Sequence, residues 1–264
     1  MTLVDQHVPV LTWTEPEGIA VRGTLVVISG RGEQPAHYER FGRRIAADGY
    51  RVHAVTDPTQ DAALTLSQIT GQLAGPQVPA PRVLAGSDTG ALFAAGLAAT
   101  GQIPGLDALV LAGLPAAEGG PQADRRAGRG TWDDELDTRT ACPAHRARLA
   151  AVGVRRGALY EAVPPGWAER ADLRAVTQPV LAIHGADDPV SPLAAARARY
   201  AAGPAELVAI AGGRHDVLND VTHRTVAATI ILFLERLRLG AGLPVIAIRE
   251  TPSPVAEPAL GQGR

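Results

Sequence analysis

Asp88 stands at the centre of Gly86-Ser87-Asp88-Thr89-Gly90, between the apolar run Arg82 to Ala85 and the Ala-rich run Ala91 to Leu97. An extended segment, a tight glycine-flanked turn and a helix would expose one side chain on a strained bend. A carboxylate placed there can attack carbon or accept a proton. Two later segments carry groups that could serve it. Gly185-Ala186-Asp187-Asp188 follows the apolar run Val180 to Ile183, and Gly212-Gly213-Arg214-His215 follows the run Glu206 to Ile210. A histidine in such a loop can act as base, with a second carboxylate to orient its ring and hold its tautomer.

The order of these groups, Asp88, Asp188, His215, is the chain order of the α/β-hydrolase triad, and the Gly-x-x-x-Gly turn resembles that fold's nucleophile elbow. The chain resembles the lysophospholipase and monoglyceride-lipase branch of the α/β-hydrolases. Ser29-Gly30-Arg31-Gly32-Glu33 is similar to the branch's His-Gly-x-Gly-Glu segment, with serine in place of histidine. Gly185 to Asp188 is similar to its Gly-x-x-Asp acid turn, a spacing that favours Asp188 over the adjacent Asp187. Gly212 to Asp220 is similar to its histidine segment. The resemblance covers roughly residues 20 to 240. The implied fold is α/β: a mostly parallel central sheet with helices on both faces and a small helical cap.

The family's elbow normally holds serine, and aspartate changes the chemistry. A carboxylate attacking an acyl carbon would form a mixed anhydride, which is uphill. Attack on an sp³ carbon would instead form an alkyl-enzyme ester, which water activated by His215 then hydrolyses. The expected activity is that of a hydrolase-fold enzyme on a small organic ester or related electrophile. One alternative is a lyase that eliminates a carboxylate such as acetate from an O-acyl intermediate, as α/β-hydrolase-like proteins of tetronate pathways do. Another is an inactive binding protein of the same fold.

By the resemblance, Arg31 occupies the position of the second oxyanion-hole residue, so its backbone N–H and that of Thr89 should converge on one oxygen. The Arg31 guanidinium either holds a carboxylate or phosphate bidentately or faces solvent. Gly30 and Gly32 give the loop backbone freedom, and Glu33 should tie it down. No Gly-Lys-Ser/Thr follows, so this is not a phosphate loop. Haloalkane dehalogenases place tryptophan after the nucleophile, where this chain has Thr89. Epoxide hydrolases use two cap tyrosines, where this cap has Tyr160. His184, ending an apolar run, reads as a buried structural residue, and His145 and His223 as ordinary ones.

Runs of strand length recur at 24–29, 51–55, 82–86, 108–113, 180–183 and 206–210, with helical stretches near 37–48, 61–74, 90–100, 192–201 and 220–239. Such alternation argues a parallel sheet covered on both faces. Residues 8–14 and 19–21 are candidate antiparallel edge strands, and 243–248 a possible extra strand or packed extension. The expected division is a core of 1–114 and 177–248, a cap insertion of 115–176, helical from Asp133 to Arg156, and a disordered tail of 249–264.

Length and composition suit one α/β domain: 264 residues, 46% apolar. The net charge of −2 gives no electrostatic case for nucleic acid or an anionic membrane. All 25 basic residues are arginine, which reads as coding bias. The lone Cys142 excludes an internal disulfide and argues against a cysteine metal site. No cofactor or metal is expected, and the partner is a small-molecule substrate. No apolar stretch has the length of a membrane span, and no secretory pattern is seen, so a cytoplasmic location is expected. Oligomeric state is not readable from these residues.

Overall fold

Apolar residues with strand periodicity alternate between two faces, and here both faces are covered. This computed structural model describes residues 9–116 and 131–248. Among them, seven strands form one sheet: β1 (Leu11–Trp13), β2 (Gly23–Ile28), β3 (Tyr50–Val55), β4 (Arg82–Ser87), β5 (Ala108–Ala112), β6 (Val180–Gly185) and β7 (Ala205–Ile210). The order is β1-β3-β2-β4-β5-β6-β7. β1 runs antiparallel to β3, and the other neighbours are parallel.

Val26, Ile28, Leu84, Leu109 and Ala182 point to one layer, against α2 (Ala62–Leu73), α3 (Thr89–Ala99) and α7 (Leu193–Tyr200). Leu25, Val27, Val83, Val110 and Ile183 point to the other, against α1 (Glu39–Ala46) and α8 (His223–Arg238). In α8, Val226, Ile230, Phe233, Leu234 and Leu237 recur at helical spacing and are buried. Each layer closes over one face, and this fixes strand register, because a one-residue slip would exchange the two sets.

From β2 the chain moves to β3 on one side and then returns to β4 on the other. That reversal makes a crevice at the carboxyl ends of β2 and β4. The loops after β2, β4, β6 and β7 carry Arg31, Asp88, Asp188 and His215 to this one edge of the sheet.

The excursion between β5 and β6 contains α4 (Trp132–Arg139), α5 (Pro143–Val152) and α6 (Trp167–Arg170). The helix expected from Asp133 to Arg156 is therefore two helices. Thr140 leaves the helical region at φ −159°, and Pro143 starts α5. Leu136, Leu149 and Val154 form a small core of their own beneath Trp132.

Three expectations of regular structure need correction. Residues 19–21 form no strand: Gly18 turns the chain at φ +81°, and Ile19 bonds back to the Pro16 carbonyl. Residues 243–248 form no strand and leave Val245, Ile246 and Ile248 exposed. α8 starts at His223, because 220–222 form a turn in which the Asp220 carbonyl caps His223. The tail of 249–264 lies outside the described residues.

Candidate active site

The elbow is built by close approach. At Gly86 a Cβ would lie 2.4 Å from the Ala91 nitrogen, and at Gly90 it would lie 2.5 Å from the Ile28 carbonyl oxygen. Only glycine lets α3 start this close to β4 and β2. Asp88, between them, has φ +51° and ψ −123°, a conformation that costs a non-glycine residue about 1–3 kcal/mol. The Asp88 N–H bonds the Ala112 carbonyl at 3.0 Å, so β5 holds the turn.

His215 lies behind this carboxylate. Its Nε2 is 3.2 Å from Asp88 Oδ1, an ion-pair contact off the line of a hydrogen bond. On the far side, Nδ1 is 2.9 Å from Asp188 Oδ2. Asp188 is held in turn by the N–H groups of Val190 and Ser191, at 2.8 and 3.0 Å, which donate to Oδ1. All three side chains are buried: Asp88 is 2% exposed, Asp188 4% and His215 0%. The structure thus brings together the three residues that chain order selected and leaves Asp187 out of the contact.

Arg31 closes the other side. Its backbone N–H donates to Asp88 Oδ2 at 3.1 Å. Its Nε donates to the same oxygen and Nη2 to Oδ1, both at 2.7 Å. The third nitrogen, Nη1, donates at 2.5 Å to the carbonyl of Glu161, beyond α5. Of the two orientations open in the sequence, the buried bidentate one is found: Arg31 is 1% exposed. The backbone N–H of Arg31 contacts the carboxylate, whereas Thr89 contributes its hydroxyl, 3.4 Å from Asp88 Oδ2. The Gly30 N–H is not free for an oxyanion, since it donates to Glu33 Oε2 and to the Tyr38 hydroxyl, both at 3.1 Å. Glu33 ties the loop as expected, with Tyr38 as an unforeseen partner.

Burial pushes the Asp88 carboxyl up, but the Arg31 guanidinium and His215 more than reverse this and hold it well below the usual carboxylate range. Burial opposes a charge on His215. Asp188 and then Asp88 outweigh it and push the imidazole up to about 10. At neutral pH the site is therefore two carboxylates and two cations interleaved: Asp188⁻, His215⁺, Asp88⁻, Arg31⁺. His184 flanks the same acid, with its Nε2 3.4 Å from Asp188 Oδ2. It is fully buried, its Nε2 donates to the Ser191 carbonyl at 2.6 Å, and burial lowers its proton affinity.

A second buried cluster supports the loop after β2. Arg139 of α4 donates to the Arg31 carbonyl at 2.9 Å, pairs with Glu135 at 3.0 Å and lies 3.5 Å from Asp216. His145, read as ordinary from the sequence, is buried and 3.1 Å from Asp216. Burial and then the Asp216 charge push Glu33 up to about 7, against Arg139 and His145. Glu33, His145 and Asp216 place ligand atoms within 4.8 Å of one another. The Arg139 guanidinium beside Asp216 already supplies the positive charge that a metal ion would bring.

No family profile and no curated protein matches this chain in sequence. Solved structures do match in shape. A monoacylglycerol lipase of Paleococcus ferrophilus superposes with a TM-score of 0.65 at 18% identity, over 86% of this chain and 97% of that one. A soluble variant of monoglyceride lipase from Saccharomyces cerevisiae gives 0.63 at 16% identity, over 86% and 91%. A thioesterase domain from the curacin biosynthetic pathway gives 0.56 at 18% identity, over 84% and 94%. The fold is the α/β-hydrolase fold. In an α/β-hydrolase, the loops after these four strands are where a reacting group, its base and its oxyanion donors are assembled. No described helix is long and apolar enough to cross a membrane.

Proposed function

We propose that this α/β-hydrolase-fold chain is an enzyme that cleaves a small organic ester or related electrophile at an sp³ carbon, with Asp88 as nucleophile. His215 exchanges the proton, Asp188 orients His215, and the Arg31 N–H stabilises the oxyanion. One observation carries the reading: Asp88 Oδ2 rests on the Arg31 N–H while Oδ1 faces His215 Nε2 at 3.2 Å. One oxygen is thus placed as an acyl oxygen would be, and the other toward the proton carrier.

The proton inventory closes on these residues. Asp88 Oδ1 attacks carbon, and the leaving group departs with its electron pair. Attack consumes the Asp88 charge, which is one of the charges holding the proton on His215. The imidazolium then gives that proton to the leaving group. Neutral His215 next takes a proton from water as the hydroxide attacks the Asp88 ester carbon. The tetrahedral oxyanion forms against the Arg31 N–H. Collapse expels the alkoxide, which takes the carboxyl proton. Asp88⁻ and His215⁺ are restored.

Asp88 held so far below the ordinary range is a weak base, which counts against its use in elimination. The inactive binding protein is a second reading, favoured by the grip of Arg31 on both carboxylate oxygens. The two are separated by intact mass. His215→Gln given reactive alkyl bromides, an anionic one and a neutral one, whose leaving group needs no proton, should accumulate an ester on Asp88 with at least one of them. Absence of any Asp88 adduct, in a folded variant, would favour the inactive protein.

A further inference from the structure

Arg31 is a buried guanidinium whose ion pair, among the described residues, is with the very carboxylate proposed to react. The neighbouring acid, Glu161, pairs its carboxylate with Arg155 at 2.8 Å and hydrogen-bonds Arg31 through its backbone carbonyl, so its charge reaches Arg31 without a direct contact. In the resting site the charges of Arg31, Asp88, His215 and Asp188 sum to zero. Alkylation makes Asp88 a neutral ester. His215 can discharge the resulting excess by giving up its proton. Arg31 cannot, because a guanidinium does not deprotonate in a protein. A neutral substrate would therefore leave a buried arginine without a hydrogen-bonded counter-ion at the covalent stage. The same grip occupies the attacking oxygen, since Nη2 holds Oδ1 at 2.7 Å.

Resting on the reading of Asp88 as nucleophile, we propose that the substrate carries its own carboxylate, which takes over the Nε–Nη2 fork of Arg31 and frees Asp88 Oδ1 to attack. The cradle has the shape for that exchange, because it now holds a carboxylate through two 2.7 Å contacts. Asp88 Oδ2 keeps the backbone N–H throughout. The substrate class is thus a small carboxylic acid with an electrophilic sp³ carbon near the carboxylate, and the enzyme is closed to neutral analogues by the arginine it would strand.

The test uses two near-isosteric electrophiles, bromoacetate and bromoacetamide. In each, Asp88 Oδ1 forms the new bond to carbon and bromide leaves with the electron pair. Labelling of Asp88 in full-length His215→Gln is mapped by peptide mass and divided by each reagent's rate with free acetate in solution. Bromoacetate should be preferred roughly tenfold or more, the worth of one good charge contact. Binding is read separately in the wild type, from the His215 imidazole resonances on titration with unreactive acetate or acetamide. Acetate should shift them and acetamide should not. The acetate response should weaken in Arg31→Lys, which keeps the charge without the fork, and vanish in Arg31→Gln. Bromoacetamide labelling Asp88 as fast as bromoacetate would overturn the proposal and leave the nucleophile intact. An acetate response without any Asp88 adduct would support the carboxylate site and sink the nucleophile. Imidazole resonances indifferent to acetate would overturn the proposal.

Discussion

At the residue scale, the site depends on opposite charges buried together, and its stability should depend on pH accordingly. His215 is pushed up to about 10 from an ordinary 6.5. Its contribution is therefore complete below pH 6.5 and is lost as pH rises toward 10. Asp88 is held below its ordinary 3.8, so its contribution is present above that value and is lost as pH falls through the folded value. The wild type should lose unfolding free energy between pH 7 and 10, with a slope reaching about 1.4 kcal/mol per unit from His215. His215→Gln should show a flatter profile over that window in urea titrations, and an identical slope would remove the charged-imidazole assignment. Asp88, His215 and Asp188 were legible because each sits beside a glycine turn at the end of an apolar run, in an order that one fold uses. The direction of the Arg31 side chain was not legible. Whether it faces inward depends on a carboxylate 57 residues away and on a cap carbonyl, neither of which leaves a local trace.

At the scale of elements, two joints set the geometry: the elbow against β2, and the cap against the loop after β2. The first is steric. Gly90→Ala would place a methyl 2.5 Å from the Ile28 carbonyl and 2.7 Å from that of Ser29. Both are backbone atoms of a buried strand end, so α3 must move instead. A loss of about 1–3 kcal/mol is expected, as for other overpacked sites. Asp88 alkylation should fall with it, because the elbow leaves the Arg31 N–H. A variant with an unchanged urea midpoint and unchanged labelling would show that this contact does not position Asp88. The second joint is polar. Arg139 reaches from α4 to the Arg31 carbonyl, and Gly32 accepts the Arg155 N–H at 2.8 Å. Glu135 and Arg139, four residues apart, carry no local mark that sets them off from a surface pair. Arg139 lies against Asp216, far along the chain, and Glu135 accepts from Arg139 and from the Gly157 N–H, partners that local pattern does not report.

For the whole molecule, the parallel sheet was readable because its strands are apolar on both faces, and turn-bounded runs of that kind suit little else. The edges were less readable: 19–21 and 243–248 have strand composition but no partner to pair with. The cap was legible as an interruption of the β/α alternation and as helical, yet its break into two helices at Thr140 was not, since polar arginine-rich segments pack through charge networks that periodicity does not report. What the assembled fold does chemically rests on one claim, that Asp88 becomes covalently bonded to the substrate. Its most direct test is a single turnover of bromoacetate by excess wild-type protein in ¹⁸O water. Water attacking the Asp88 ester carbon predicts label in the Asp88 side chain and unlabelled glycolate hydroxyl. Label confined to glycolate, with Asp88 unlabelled, would contradict the account.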